Sequence, residues 1–338
     1  MDYLLVAGGL TLLVLAGDAL VRGAVAAALK LSMSPLLIGA TIVAVGTSAP
    51  ELVVGIDAVL KGAPTLALGN VVGSNTANIL LAIGLPAIIL PASTAASGMA
   101  RTTLIMLAAT AIVLIAAVSS PISWPIGLVF LVLLALFVLD SMRSARRAKA
   151  LTGAEDNLLD EEVDLEEAER LSPVAAGLFL LGGLLGVIVG ADMLVDGAVS
   201  IAMDLGVSEA VIGLTLVAVG TSLPELATAL VAAYKGHADV AIGNVIGSNI
   251  FNLLGIIGAS SLFGDIPIPA SFWAFDFWVM VAASLAILPF CLLKTDIGRF
   301  AGAIFFAAYC GYIWLTAGQA LKSQSGRIET AFVAVEQT

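Results

Sequence analysis

Histidine, cysteine and charge are all scarce in this chain, and each scarcity closes off a class of chemistry. One histidine in 338 residues cannot supply the imidazoles of a zinc hydrolase, and the His-Glu-x-x-His motif is absent. The two cysteines, Cys291 and Cys310, lie inside apolar runs, where a thiol packs as a small hydrophobe and offers no disulfide framework. Gly264-Asp265 occurs once near a span end, without a partner aspartate for an intramembrane protease. Clusters of basic residues with interleaved aromatics are missing, which argues against nucleic acid as a partner. A removable signal is also not expected: Asp2 stands where a basic start would be, and the first apolar run is long enough to be an uncleaved span.

What replaces these residues is apolar. Hydrophobic residues make up 60% of the chain and charged ones 12%, with mean hydropathy +1.09. Apolar runs of about 20 residues recur from end to end, the pattern of a polytopic membrane protein. Ten spans are predicted, near 3–29, 36–60, 64–90, 101–118, 122–142, 174–202, 208–234, 238–263, 272–293 and 299–320. The fold class expected is therefore an all-α polytopic membrane protein with ten transmembrane helices.

The segment 143–172 is the one long hydrophilic break, and residues 155–169 hold nine of the 25 acids. The net charge of −11 thus describes a loop more than a surface. That loop lacks the glycine and alternating acids of an EF-hand, so a solvated connector is expected. It separates a half at 1–142 from a half at 173–322, followed by a tail at 323–338. Arg143, Arg146, Arg147 and Lys149 follow the fifth span, which places the loop in the cytoplasm by the positive-inside rule. Lys30, Arg101, Lys235, Lys294 and Arg299 then also fall inside, whereas Lys61, Lys322 and Arg327 fall outside. Both termini are non-cytoplasmic on this count, and a multi-pass protein of the cell (plasma or inner) membrane is expected. His237 is expected in a solvated cytoplasmic turn.

The halves repeat each other. Residues 38–84 and 212–258 align without a gap at an offset of 174, with 26 of 47 positions identical. The same offset aligns Gly-Asp-Ala-Leu-Val-Arg-Gly-Ala at 17–24 with Ala-Asp-Met-Leu-Val-Asp-Gly-Ala at 191–198. Because each half has an odd number of spans, homologous halves must sit upside down relative to each other. Two inverted five-helix repeats meeting at the bilayer midplane are a known transporter architecture.

Within the repeat, Gly-Thr-Ser-x-Pro-Glu occurs at 46–51 and 220–225. Pro50 and Pro224 break the helical ladder and release carbonyls in the Gly46–Thr47 and Gly220–Thr221 stretches. Irregular backbone in a membrane is tolerated where protein or a polar cavity satisfies it. Glu51 follows Thr47 by four residues, and Glu225 follows Thr221 likewise, so each carboxylate shares a helical face with the break. The next span adds a polar stripe at every fourth residue, Asn70, Ser74 and Asn78 in one copy and Asn244, Ser248 and Asn252 in the other. Gly69 and Gly73, with Gly243 and Gly247, form small faces for close helix packing. A carboxylate at membrane depth costs about 2.5–3.5 kcal/mol on insertion scales and marks a functional site unless paired.

Oxygen ligands of this kind suit calcium, which takes six to eight of them at ~2.3–2.6 Å. Glu51 and Glu225 as bidentate ligands with the Thr47 and Thr221 carbonyls would supply six. Magnesium fits less well, and zinc, copper and iron lack soft or imidazole ligands. Two carboxylates are neutralised by one calcium or by two monovalent ions, which permits mutually exclusive loading.

These paired motifs resemble the cation/calcium antiporter superfamily, and within it the sodium/calcium exchanger branch, over nearly the whole chain. The resemblance implies that Glu51 and Glu225 ligate calcium with the carbonyls of Thr47 and Thr221. It also implies flanking sodium sites built from Ser74, Ser248 and the carbonyls of Ala44 and Ala218, with Asn78 at the centre. First and sixth helices are expected to move as a gating pair. Some exchangers carry aspartate where this chain has Asn252, so the third central acid is missing here and sodium, proton or potassium coupling stays open.

The expected function is secondary active antiport of calcium against sodium, with calcium/proton (or potassium-assisted) exchange and a passive cation channel as alternatives. No enzyme activity and no cofactor are expected. The partners expected are calcium and sodium ions and the lipid bilayer, with no obligate protein partner. Asp18 and Arg22 are expected to pair at i, i+4, Asp192 and Asp196 to line an outer vestibule, and Asn75 and Asn249 to be structural.

Overall fold

A computed structural model describes residues 2–31, 33–152, 170–205 and 220–336, without side-chain detail at 145–152 and 319–336. The described residues are helical, with only two isolated β-bridges and no strand. In chain order the helices are α1 (Asp2–Leu31), α2 (Pro35–Thr47), α3 (Ala49–Leu60), α4 (Pro64–Ile89), α5 (Met99–Val118), α6 (Trp124–Thr152), α7 (Pro173–Asp204), α8 (Leu223–Tyr234), α9 (Ala238–Ser260), α10 (Phe272–Leu293) and α11 (Arg299–Glu336). Eight of these are long and apolar enough to cross a membrane, and the bent pair α2/α3 makes up to nine. The ten expected spans differ from this at 208–234, where only the part from Gly220 is described and α8 alone is too short to count.

The apolar runs fold as the hydropathy requires. Leu10, Val14, Ile115, Val132, Leu178, Leu181 and Trp314 stand exposed on helix surfaces, a distribution that only a hydrocarbon solvent makes favourable. The chain is a multi-pass integral membrane protein. The most buried helices are the two that carry the polar stripes, α4 and α9, with 78% and 100% of their apolar windows inside the protein.

Two cores organise the interior. The larger joins α3–α6 with α8–α11 around Val71, Ile79, Met106, Phe130, Ile246 and Phe277. The smaller joins α1 and α7 through Leu13, Leu20, Val21, Leu180 and Val187. These two long helices pack at backbone distance: a Cβ added at Gly9 would lie 2.7 Å from the Gly190 carbonyl. Only small residues allow that approach, as in other membrane helix pairs.

Helix ends follow from local chemistry. Ser34 caps α2 by accepting from Leu37 N at 3.3 Å, with Pro35 at the first helical position. Matching Lys-Gly turns close α3 and α8, where Gly62 and Gly236 adopt φ of 76° and 81°, a left-handed region that favours glycine. His237 corrects an expectation here. It is 6% exposed, because the turn folds back so that His237 N donates to the Ala232 carbonyl at 2.9 Å, which tucks the imidazole beside Asp239. Across the halves, Ala92 bridges to Ile297 and its offset counterpart Ile266 bridges to Ile122.

Candidate cation site

The helix break forms where Pro50 removes the donor for the Gly46 carbonyl. Backbone at Ser48 leaves helical geometry (φ −85°, ψ 10°), and α2 and α3 meet at 44°. Ser222 adopts nearly the same conformation, φ −91° and ψ 6°, directly before α8. Each break is therefore followed within three residues by a glutamate in the first turn of the next helix. Helix N-termini carry partial positive charge, so a carboxylate there is favoured electrostatically.

Both carboxylates point inward. Glu51 and Glu225 are 0% exposed and close enough for their charges to interact, with Ser74 facing Glu51. Glu225 Oε1 accepts from Ser48 Oγ at 2.9 Å and from Ser248 Oγ at 3.3 Å. Thr47 Oγ1 lies 3.2 Å from Asn244 Oδ1 and 3.5 Å from Ser248 Oγ. The first break thus docks onto the stripe of α9. Close packing permits it: a Cβ at Gly243 would meet the Leu36 carbonyl at 2.5 Å, and one at Gly247 would run into the Ala40 backbone.

Several buried oxygens have no donor. Among the described residues these include both oxygens of Glu51, Glu225 Oε2 and the amide oxygens of Asn75, Asn78 and Asn252, while Asn244 Nδ2, Asn252 Nδ2 and the Ser222 and Ser260 hydroxyls also lack partners. A carboxylate only accepts, and buried polar atoms without partners are rare and costly, at about 1–3 kcal/mol each and more for charged groups. Two carboxylates with three of their four oxygens undonated, in a region sealed from water, form an electrostatic trap for a cation. The donor set is all oxygen, and no group of three or more His, Cys, Asp or Glu side chains gathers among the described residues. That composition suits a hard cation and not zinc or iron.

The central polar cluster also fixes the two striped helices to one another. Asn75 Nδ2 donates to the Asn249 carbonyl and Asn249 Nδ2 to the Asn75 carbonyl, each at 3.3 Å, while Asn78 Nδ2 donates to Asn249 Oδ1 at 3.0 Å. Immediately afterward both helices widen into π-helical turns, Asn78–Ile83 and Phe251–Ile256. Such turns recur at functional sites in other proteins.

The expected site residues are accounted for as follows. Glu51, Thr47, Ser74 and Asn78 from one half and Glu225, Ser248 and Asn252 from the other are all buried, Thr47 meets Ser248 across the halves, and the Asn252 amide has no partner among the described residues. Thr221 is half-buried at the second break. Ala44 is buried, and its carbonyl already accepts from Ser48 N at 3.1 Å and Thr47 Oγ1 at 3.4 Å, leaving limited capacity for an ion. Ala218 lies outside the described residues. Sequence reasoning did not single out Ser48 and Ser222, although both occur in the duplicated Gly-Thr-Ser string. Asn70 has a further role, donating to the Glu51 main-chain carbonyl at 3.1 Å.

Comparison with known proteins adds independent findings. The family model described as sodium/calcium exchanger protein matches residues 1–142 and 175–318. The putative antiporter CaxA of Alkalimonas amylolytica is 37% identical over 313 residues, covering 91% of this chain and 96% of the relative. The sodium/calcium exchanger MaX1 of Methanosarcina acetivorans is 32% identical over 341 residues, covering 93% and 97%. Among solved structures, the sodium-calcium exchanger NCX_Mj soaked with zero sodium and calcium superimposes with TM-score 0.76 at 34% identity, over 93% of this chain and 98% of that one.

Proposed function

The chain belongs to the sodium/calcium exchanger protein family, and from that premise we propose how it exchanges calcium for sodium across a membrane. It is a secondary active transporter, not an enzyme, and its substrates are the ions themselves. The observation that carries the reading is the pair Glu51 and Glu225, fully buried, facing one another, with three of four carboxylate oxygens lacking a donor.

In this reading calcium sits between the two carboxylates, with the carbonyls of Thr47 and Thr221 completing the shell. Sodium ions take flanking positions near Ser74 and Ser248 and the carbonyls of Ala44 and Ala218, and Asn78 and Asn252 line the centre. One divalent ion or two monovalent ions neutralise the pair, so the two loads compete for one site. Unequal charge movement would make transport sensitive to voltage, at about 2.3 kcal/mol per charge per 100 mV.

The architecture proposed is ten spans in two inverted halves, 1–142 and 173–322, joined by a cytoplasmic acidic loop at 143–172 and followed by a tail at 323–338. Support comes from the reciprocal amide pairs of Asn75 and Asn249 and from the paired bridges at Ala92 and Ile266. The positive-inside count supports both termini outside the cytoplasm in a cell membrane. No protein partner is needed, because both halves of the site lie in one chain.

The test is calcium-45 uptake into proteoliposomes under separately imposed sodium, potassium and pH gradients. Uptake should follow an outward sodium gradient and vanish without it. Uptake with no counter-ion on the opposite side would convert the reading to a channel, and uptake driven only by a pH gradient would convert it to proton exchange.

A further inference from the structure

The offset of 174 pairs Lys61 with Lys235, Asp18 with Asp192, Arg22 with Asp196 and Asp57 with Val231. These residues behave differently in the two copies. Lys235 Nζ lies 2.6 Å from Asp18 Oδ1, and Arg22 Nε lies 2.7 Å from Asp18 Oδ2. The lysine thereby ties the end of α8 to the middle of α1. The ammonium is 15% exposed and the carboxylate 35%, so this ion pair is better shielded than an ordinary surface bridge. Lys61 is instead 72% exposed and pairs within its own helix end, with Asp57 at 2.7 Å.

Helix packing shows the same one-sidedness. α1 packs along α8, where a Cβ at Gly17 would meet Val231 Cγ2 at 2.9 Å. The counterpart contact, α7 along α3, has no comparable extent among the described residues. α1 and α7 are packed to one another at backbone distance, so they shift together. In a transporter of inverted halves, the oppositely open state is reached when the halves exchange conformations. The contact made now on one face must then be remade by its counterpart on the other.

We propose that Lys235 and Asp18 form a latch that holds the Lys235 face shut, and that Lys61 and Asp192 form its counterpart when the Lys61 face closes. The two lysines are positioning residues for the transport cycle. This rests on the antiport reading above and adds to it a source of bias between facing states. At the Lys235 face one carboxylate meets two cations, Arg22 and Lys235. At the Lys61 face, Asp196 replaces Arg22 and Asp57 replaces Val231, so three carboxylates would surround one ammonium. The two latches therefore differ in strength, and since Lys235 is engaged with Asp18 while Lys61 stays on Asp57, the empty carrier rests with the Lys235 face shut and the site open to the Lys61 face.

Calcium-45 self-exchange in proteoliposomes of known orientation tests this, with calcium varied at one face at a time. Lys235→Met should lower the half-saturating calcium at the Lys235 face and raise it at the Lys61 face, the two fold-changes multiplying to about three- to tenfold, as expected when a half-buried ion pair no longer biases two states. Asp18→Asn should reproduce the pattern from the other partner, and Lys235→Arg should retain the parent values. Lys61→Met should shift both values the opposite way. If the two half-saturation values move in the same direction, or stay put in both Lys235→Met and Asp18→Asn, the latch is wrong. Parent vesicles without self-exchange would remove the antiport reading itself, a failure visible before any variant is made.

Discussion

Thr47-Ser48 and Thr221-Ser222 occupy matching places in a duplicated sequence, yet they keep different company. The first dipeptide reaches across to the other half, binding Asn244, Ser248 and Glu225. The second makes no hydrogen bond to Asn70, Ser74 or Glu51, and Ser222 Oγ is buried without a partner among the described residues. Glu225 consequently holds two hydroxyl donors while Glu51 holds none. Near-identical chemistry in two conformations is what alternating access requires of inverted halves. Among the described residues, one half-site makes these contacts and its counterpart does not.

The sharpest way to break that comparison is to neutralise each acid in turn. Glu51→Gln and Glu225→Gln should each reduce sodium-driven calcium uptake by more than about 100-fold, since even outer partners of metal ligands are worth 10–100-fold. Their stabilities should diverge. Replacing a buried carboxyl group that has no hydrogen-bond partner at Glu51 should raise the melting temperature of ion-free protein. Glu225→Gln keeps an acceptor for Ser48 and should change it little. Near-normal uptake by either variant would remove that residue from the site, and equal stability effects would erase the asymmetry.

The glycine faces give the next test. Gly247→Ala drives a methyl into the Ala40 backbone and should lower both stability and transport. Gly73, its counterpart, has nothing within 4 Å of an added Cβ among the described residues. Gly73→Ala should fold and bind calcium normally, yet slow exchange, because the opposite state needs that face for packing. Normal exchange rates in Gly73→Ala would argue that the second half never docks as the first does.

Much of this was legible beforehand. The offset, the Pro-Glu breaks and the four-residue stripes are local periodicities, and they single out Glu51, Glu225, Ser74, Ser248, Asn78 and Asn252, each of which is buried. Which partners Thr47 and Ser48 take was not legible, because 26 of 47 matching positions give both halves the same local instructions. That choice resides in contacts between distant segments, such as Lys235 with Asp18, where no sequence spacing signals the pair. His237 failed for a similar reason: its polarity predicts solvent, whereas the Lys-Gly turn dictates where its backbone goes.

A smaller effect separates the serines themselves. Ser48→Ala removes a donor from a buried carboxylate and should destabilise ion-free protein by about 1.5–3 kcal/mol, the range for a hydrogen bond to a charged group. Ser222→Ala removes a hydroxyl with no acceptor and should cost little or nothing in the same melting assay. If the two variants melt alike, the one-sided hydrogen bonding of Glu225 does not persist in the purified protein.

The subtlest comparison lies at the centre, between Asn78 and Asn252. Asn78 donates to Asn249, so its amide is held; neither Nδ2 nor Oδ1 of Asn252 finds a partner among the described residues. Asn252→Asp therefore breaks no existing hydrogen bond and adds a third charge to a site balanced for two. A calcium ion between Glu51 and Glu225 is already neutralised, so calcium half-saturation should move by less than about tenfold, within 1.4 kcal/mol. The added charge must instead be met by a monovalent ion or a proton, and the dependence of uptake on sodium and pH should change. Initial-rate calcium-45 uptake against sodium concentration, at two pH values, separates these outcomes. An unchanged sodium and pH dependence would mean that residue 252 does not reach the ions, and that the unpartnered amide is a packing defect outside the conducting centre.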